Sequence, residues 1–212
     1  MNEKPNKITL FSLGESTVGK TSFITKYVKN EFSNQLVTIG IDYYLKELIL
    51  PKGEKIKLTI YDTCGQENYH SISYSLIRKA NGIFLIYDIT QQKTFDKINE
   101  WIKDIKELKG ENFPIVLIGN KCDLEEKRII NKNDGENYAR KNEIDFYETS
   151  CKDGTNIENS VLTLVNKVIE QKNEGKEKKE EKEKKEEKEE NQTKKEFKLS
   201  KTKNEKKKKR HC

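Results

Sequence analysis

Gly14-Glu15-Ser16-Thr17-Val18-Gly19-Lys20-Thr21 is the stretch that decides the fold. It completes the pattern G-x-x-x-x-G-K-[ST], which cradles phosphate when a strand precedes it and a helix follows. Both neighbours are present. Lys7–Gly14 is a short apolar run closed by glycine, a buried strand, and Lys20–Lys29 reads as a helix. Gly14 and Gly19 let the backbone wrap a phosphate so that the N–H groups of Ser16, Thr17 and Val18 point inward. The helix start adds the positive end of its dipole. Lys20 is expected to bridge the β- and γ-phosphates, and the Thr21 hydroxyl to ligate Mg²⁺. By itself this loop says only that a nucleoside triphosphate is bound.

Working outward, Ile41–Leu50 and Lys55–Asp62 read as an antiparallel hairpin turning at Pro51-Lys52-Gly53. Gly82–Asp88 and Pro114–Gly119 are apolar runs bounded by turn residues, as in strands covered on both faces. Phe95–Leu108 carries Phe95, Ile98, Ile102, Ile105 and Leu108 at helical spacing and is expected to form one amphipathic helix. Asp134–Lys141 is expected as a helix, Asp145–Thr149 as a strand and Ile157–Ile169 as a closing helix. Alternating strands and helices imply an α/β fold, a mostly parallel sheet with helices on both faces. Ligands of such sheets sit at the carboxyl ends of the strands.

Four further segments fall at those ends. Asn120-Lys121-Cys122-Asp123 follows the strand Pro114–Gly119. A carboxylate accepts two hydrogen bonds from N1–H and the exocyclic amine of guanine, and adenine offers no such pair, so Asp123 selects guanine. Asn120 is expected to tie this loop to the phosphate loop, and the Lys121 stem to cover the base. Asp62-Thr63-Cys64-Gly65-Gln66-Glu67 ends the hairpin. Asp62 is placed to hold Mg²⁺ through a water, the Gly65 N–H to reach the γ-phosphate, and Gln66 to orient the attacking water. Thr38 precedes the hairpin and reaches Mg²⁺ only while a γ-phosphate holds its loop, which makes both segments candidate switches. In Thr149-Ser150-Cys151-Lys152 the backbone N–H groups are expected to meet the guanine O6.

With these five motifs in order, residues 1–172 resemble a Ras-superfamily small GTPase, and within it the Rab family most closely. The likeness rests on Ile39-Gly40-Ile41-Asp42-Tyr43, Lys57-Leu58-Thr59-Ile60-Tyr61, Tyr69-His70-Ser71-Ile72-Ser73, Leu85-Ile86-Tyr87-Asp88-Ile89-Thr90 and the helix carrying Trp101. The resemblance implies a phosphate-loop NTPase fold of six strands that binds GTP or GDP with Mg²⁺ and works as a monomeric switch in vesicle traffic. It implies Phe32 edge-on against the base. It also implies exchange factors, GTPase-activating proteins and effectors that engage Thr38–Tyr44 and Gly65–Ser75. Departures from the pattern are Tyr61 for tryptophan, Tyr43 for phenylalanine, Cys64 for alanine, Asn68 for arginine, and one residue fewer between Thr21 and Thr38. Cys64 crowds the expected γ-phosphate position. The sequence offers no obvious arginine finger in cis, a group worth ~10³–10⁵ in rate, so hydrolysis is expected to be slow without help. A switch that signals by occupancy, with little hydrolysis, is the alternative, and an ATPase using the same loop is a third reading.

The chain has 212 residues with a hydrophobic fraction of 33%, a charged fraction of 37% and a net charge of +6. That excess sits in residues 173–212, where sixteen Lys and one Arg face eleven Glu, so residues 1–172 are close to neutral. The tail has no apolar face to bury and is expected to stay outside the fold as a disordered, charged extension. Its end, Lys194–Cys212, has a local net charge of +8, with Lys206–Arg210 beside Cys212. A geranylgeranyl group on Cys212 and this patch would supply the two signals of stable anchoring to an anionic membrane, and a free thiol on a solubilising charged tail is the other reading. The expected location is cytoplasmic, on the cytoplasmic face of an intracellular membrane. Nucleic-acid binding is not expected, since Phe197 is the tail's only aromatic residue. Cys64, Cys122, Cys151 and Cys212 fit neither zinc nor disulfide spacing. Asn2 is not the glycine that N-myristoylation needs, and no apolar run is long enough to span a membrane. Trp101 is expected in the core, and Cys122 and Cys151 as small fillers near the base pocket.

Overall fold

The computed structural model describes residues 6–32, 41–51, 53–63 and 70–175. In chain order the elements are β1 (Asn6–Leu13), α1 (Lys20–Lys29), β2 (Ile41–Ile49), β3 (Lys55–Thr63), α2 (His70–Lys79) and β4 (Gly82–Asp88). They continue with α3 (Gln92–Asp96), α4 (Ile98–Lys109), β5 (Ile115–Asn120), a 3₁₀ turn at Glu125–Lys127, α5 (Lys132–Asn142) and β6 (Asp145–Thr149). A last helix, α6, covers residues 157–175. The six strands form one sheet in the order β2-β3-β1-β4-β5-β6. Only β2 runs antiparallel, paired with β3 from Ile41 opposite Thr63 to Ile49 opposite Lys55. All the other pairs are parallel.

Period-two alternation explains the two layers. Phe11, Leu13, Ile83, Leu85, Ile115 and Leu117 point to one face and meet Ile77 of α2, Ile98, Ile102 and Ile105 of α4, and Ala139 of α5. The other face meets α1 and α6: the rings of Phe23 and Phe84 lie 5.1 Å apart, and a side chain at Gly82 would strike Leu164 and Val168. β4 and β5 are buried at every position, as their unbroken apolar runs require.

Two expectations are corrected. Phe95–Leu108 is not one helix, because its hydrogen-bonding shifts register at Lys97. There the N–H groups of Glu100 and Trp101 both reach the Lys97 carbonyl, at 3.1 and 3.3 Å. The apolar stripe survives the break, with Ile98, Ile102 and Ile105 buried. Trp101 is only partly buried and packs against the edge of the core. α2 is an element the sequence reading did not name. The closing helix continues past Ile169. The chain separates into a compact unit Met1–Val168 and a second unit Ile169–Cys212. Among the described residues, no helix is long and apolar enough to cross a membrane.

Candidate functional site

Because β1, β3, β4, β5 and β6 run parallel, their carboxyl ends share one edge of the sheet. The loop 14–19, Asp62, Asp88, Asn120 and Thr149 all fall on that edge. The loop between β1 and α1 is fixed by two glycines with positive φ, +139° at Gly14 and +96° at Gly19. A Cβ would stand 2.1 Å from the Ile86 carbonyl oxygen at Gly14, and 2.4 Å from Asn120 Nδ2 at Gly19. Only glycine fits either place. Thr17 takes the left-handed conformation as well, with φ 65°. α1 starts after Gly19 without a side-chain cap, and its N-terminus, the positive end of the helix dipole, faces the phosphate loop. Lys20 is buried, and its ammonium folds over the loop to donate to the carbonyls of Gly14 at 2.9 Å and Glu15 at 2.7 Å.

Beside it, the Thr21 hydroxyl donates to Asp62 Oδ2 at 2.5 Å. Asp62 is fully buried, held at the end of β3 where Thr63 Oγ1 donates to the Ser12 carbonyl at 2.7 Å. A hydroxyl and a carboxylate side by side next to a phosphate loop form a hard oxygen donor set. That is the ligand chemistry Mg²⁺ takes, with water and phosphate completing its shell. The described residues thus fit the ion, and Thr38, the third expected ligand, lies outside them, as do Cys64, Gly65 and Gln66.

The base-side loops converge on Asn120. Its Nδ2 donates to the Val18 carbonyl at 2.8 Å, and its Oδ1 accepts from Thr149 Oγ1 at 3.1 Å and from the Cys151 thiol at 3.4 Å. One buried amide therefore joins the phosphate loop to both base-side loops. The Cys122 N–H adds a bond to the Thr149 carbonyl at 3.0 Å. Lys121, with φ 69°, donates to the Thr17 carbonyl at 2.9 Å and pairs with Asp88 Oδ2 at 2.7 Å. Asp123 is exposed at the lip of the site, and Phe32, just beyond α1, is half exposed.

In the loop after β6, the Ser150 N–H bonds the Thr155 carbonyl at 3.2 Å, and the Lys152 N–H bonds Ser150 Oγ at 3.2 Å. Those two donors are engaged within the loop, which leaves the Cys151 N–H as the candidate for the guanine O6. Burial pushes the Cys151 thiol up to about 12 and the half-buried Cys122 thiol up to about 11, so both stay protonated near neutral pH. Cys151 is a small buried filler as expected, whereas Cys122 is only partly buried. Among the described residues no cluster of His, Cys, Asp and Glu could hold a metal by itself.

Asp88 and Ser12 were missed by the sequence reading. Asp88 ends an apolar strand and is followed by Thr90, and a lone acid at such a place is the signal that could have flagged it. Cys212 and the tail beyond residue 175 lie outside the described residues.

The Ras family model matches residues 9–170. Among curated relatives, the Ras-related protein Rab-10 of Diplobatis ommata is 44% identical over 169 residues, covering 79% of this chain and 84% of the relative. Rab-8B of Pongo abelii is 40% identical over 165 residues, covering 77% and 79%. Rab-3C of Bos taurus is 38% identical over 170 residues, covering 79% and 74%. The phosphate loop, the Thr21–Asp62 pair and the Asn120 junction occur in a chain of this likeness, and the chain belongs to the Ras family as a Rab-like small GTPase.

Proposed function

We propose that the chain binds GTP and GDP with Mg²⁺, hydrolyses GTP slowly, and acts as a switch in membrane traffic. The observation that carries this reading is the Asn120 amide, 2.8 Å from the Val18 carbonyl, which holds a phosphate cradle and a guanine-reading loop as one surface. Gly14, Ser16, Thr17, Val18, Gly19 and Lys20 bind the phosphates. Asn120, Lys121, Asp123, Ser150, Cys151 and Lys152 build the base pocket, with Phe32 at its edge. Thr21, Asp62 and Thr38 hold Mg²⁺, which when bound neutralises charge on the phosphates. Lys20 orients the γ-phosphate, the Gly65 N–H donates to it, and Gln66 aligns the attacking water.

Thr38–Tyr44 and Gly65–Ser75 are the surfaces for exchange factors, GTPase-activating proteins and effectors. Within the first, Tyr43 is 58% exposed and its ring sits 5.9 Å from that of Tyr61. The basic tail end and a prenylated Cys212 place the switch on the cytoplasmic face of a membrane.

Single-turnover phosphate release from bound GTP tests the reading. Gln66→Leu is expected to slow it at least tenfold, and an unchanged rate removes the role given to Gln66. If the parent already releases no phosphate while holding GTP, the switch signals by occupancy. Asp123→Asn is expected to move preference from guanosine to xanthosine nucleotides. Competition by ATP at concentrations comparable with GTP would instead support the ATPase reading.

A further inference from the structure

Asp88 carries no part of the chemistry above, yet it is fully buried at the carboxyl end of β4. That strand lies between β1, which leads into the phosphate loop, and β5, which leads into the base loop. Its carboxylate is saturated. Oδ1 accepts from the Thr90 N–H at 2.9 Å and the Thr90 hydroxyl at 2.7 Å. Oδ2 accepts from Gln91 Nε2 at 3.0 Å and from the Lys121 ammonium at 2.7 Å. The first three donors come from the turn after β4 and fix the carboxylate in place. The fourth is the only cation among them, and it comes from the next strand's loop.

Lys121 in turn donates to the Thr17 carbonyl at 2.9 Å, so charge and hydrogen bonds run unbroken from β4 through the base loop to the phosphate loop. Both ends of that last bond are in the left-handed conformation, Thr17 at φ 65° and Lys121 at φ 69°. Such backbone is held by its surroundings rather than by its own preference. The Lys121 side chain is 30% exposed, so without its counter-charge it has solvent to turn towards.

We propose that Asp88 is a positioning residue for the nucleotide: by holding the Lys121 ammonium against Thr17, it locks the base loop to the phosphate loop and slows nucleotide release. The inference rests on the guanine-nucleotide reading above. Asp88 does not touch the ligand and acts through Lys121. Its loss speeds dissociation of GDP and GTP alike and leaves their association little changed.

The test uses the full chain loaded with methylanthraniloyl-labelled GDP in the presence of Mg²⁺, chased with unlabelled GDP. Asp88→Asn keeps acceptors for Thr90 but removes the charge, and is expected to speed release ten- to a hundredfold. Lys121→Met should do the same, and the double variant should release no more than about threefold faster than the faster single one. A role in folding alone would make the two effects multiply. Thr90→Ala is the milder probe should Asp88→Asn fail to fold. It loosens the carboxylate and is expected to speed release two- to fivefold in the parent but not in the Lys121→Met background. A parent chain that does not retain the labelled GDP overturns the nucleotide reading, and this inference with it. A parent that retains it, with Asp88→Asn or Thr90→Ala releasing within twofold of it or with multiplying effects, overturns the role of Asp88 alone.

Discussion

Cys151 shows how one residue can belong to a site and still load the stability of the fold. Its thiol is buried and donates to Asn120 Oδ1 at 3.4 Å, and burial pushes its pKa up to about 12. An unfolded thiol loses its proton near pH ~8.5. Above that value the unfolded chain binds fewer protons than the native one, so stability falls as pH rises, until the native thiol itself ionises. The slope approaches ~1.4 kcal/mol per pH unit, so about 2.5 kcal/mol should vanish between pH 8 and pH 10.5. Tyr27 and Tyr87, raised mainly by burial, act in the same direction, and the parent's alkaline loss is therefore a composite. Cys151→Ala isolates the thiol's share. In urea melts its stability relative to the parent should improve by about 2.5 kcal/mol across that range. A constant difference would mean that the thiol is not shielded as described.

At the scale of elements, two glycines separate strain from contact. Gly19 and Gly53 have similar backbone, φ +96° and +82°. A Cβ at Gly19 would meet Asn120 Nδ2 at 2.4 Å, whereas at Gly53, in the turn between β2 and β3, it would meet nothing within 4 Å. Alanine at either position pays roughly 1–2 kcal/mol for left-handed backbone. Only Gly19→Ala also drives Asn120 from the Val18 carbonyl. Urea melts should therefore show a loss at both, while nucleotide release accelerates at least tenfold at Gly19→Ala and less than twofold at Gly53→Ala. Equal release rates would show that Asn120 does not join the loops. The loop, its strand and its helix were legible in the sequence because each has a local signature: fixed glycine spacing, an unbroken apolar run, a helix start. The break at Lys97 was not, since Phe95, Ile98 and Ile102 keep helical spacing on both sides of it. Nor was the pairing of Asp88 with Lys121, which follows from β4 lying beside β5, a property of strand order rather than of any window of sequence.

For the whole molecule, the sequence divides charge and apolar content unequally, and the two parts should be separable in function. Residues 1–172 are near neutral and hold the apolar residues of the sheet, while Lys194–Cys212 carries a net charge of +8 with little that could be buried. A chain ending at Gly175 keeps every element of the sheet and α6 to its last described residue. It should melt within about 2 °C of the full chain, because the sequence removed is almost all charged and has no apolar face whose burial could stabilise the fold. Nucleotide release should also be unchanged. Membrane affinity should not survive. Each basic side chain near an anionic leaflet contributes about 1 kcal/mol, within a Debye length of ~10 Å at 0.1 M salt and ~3 Å at 1 M. Full chain lacking any lipid should therefore co-sediment with phosphatidylserine-containing vesicles at low salt, detach at 1 M salt, and ignore neutral vesicles. The chain ending at Gly175 should stay in the supernatant throughout. Equal sedimentation of the two would move the membrane contact to residues 1–175, outside the basic tail end. Binding of the unlipidated full chain that resists 1 M salt would mean that charge is not what holds it. The basic end would then be no more than a spacer for Cys212.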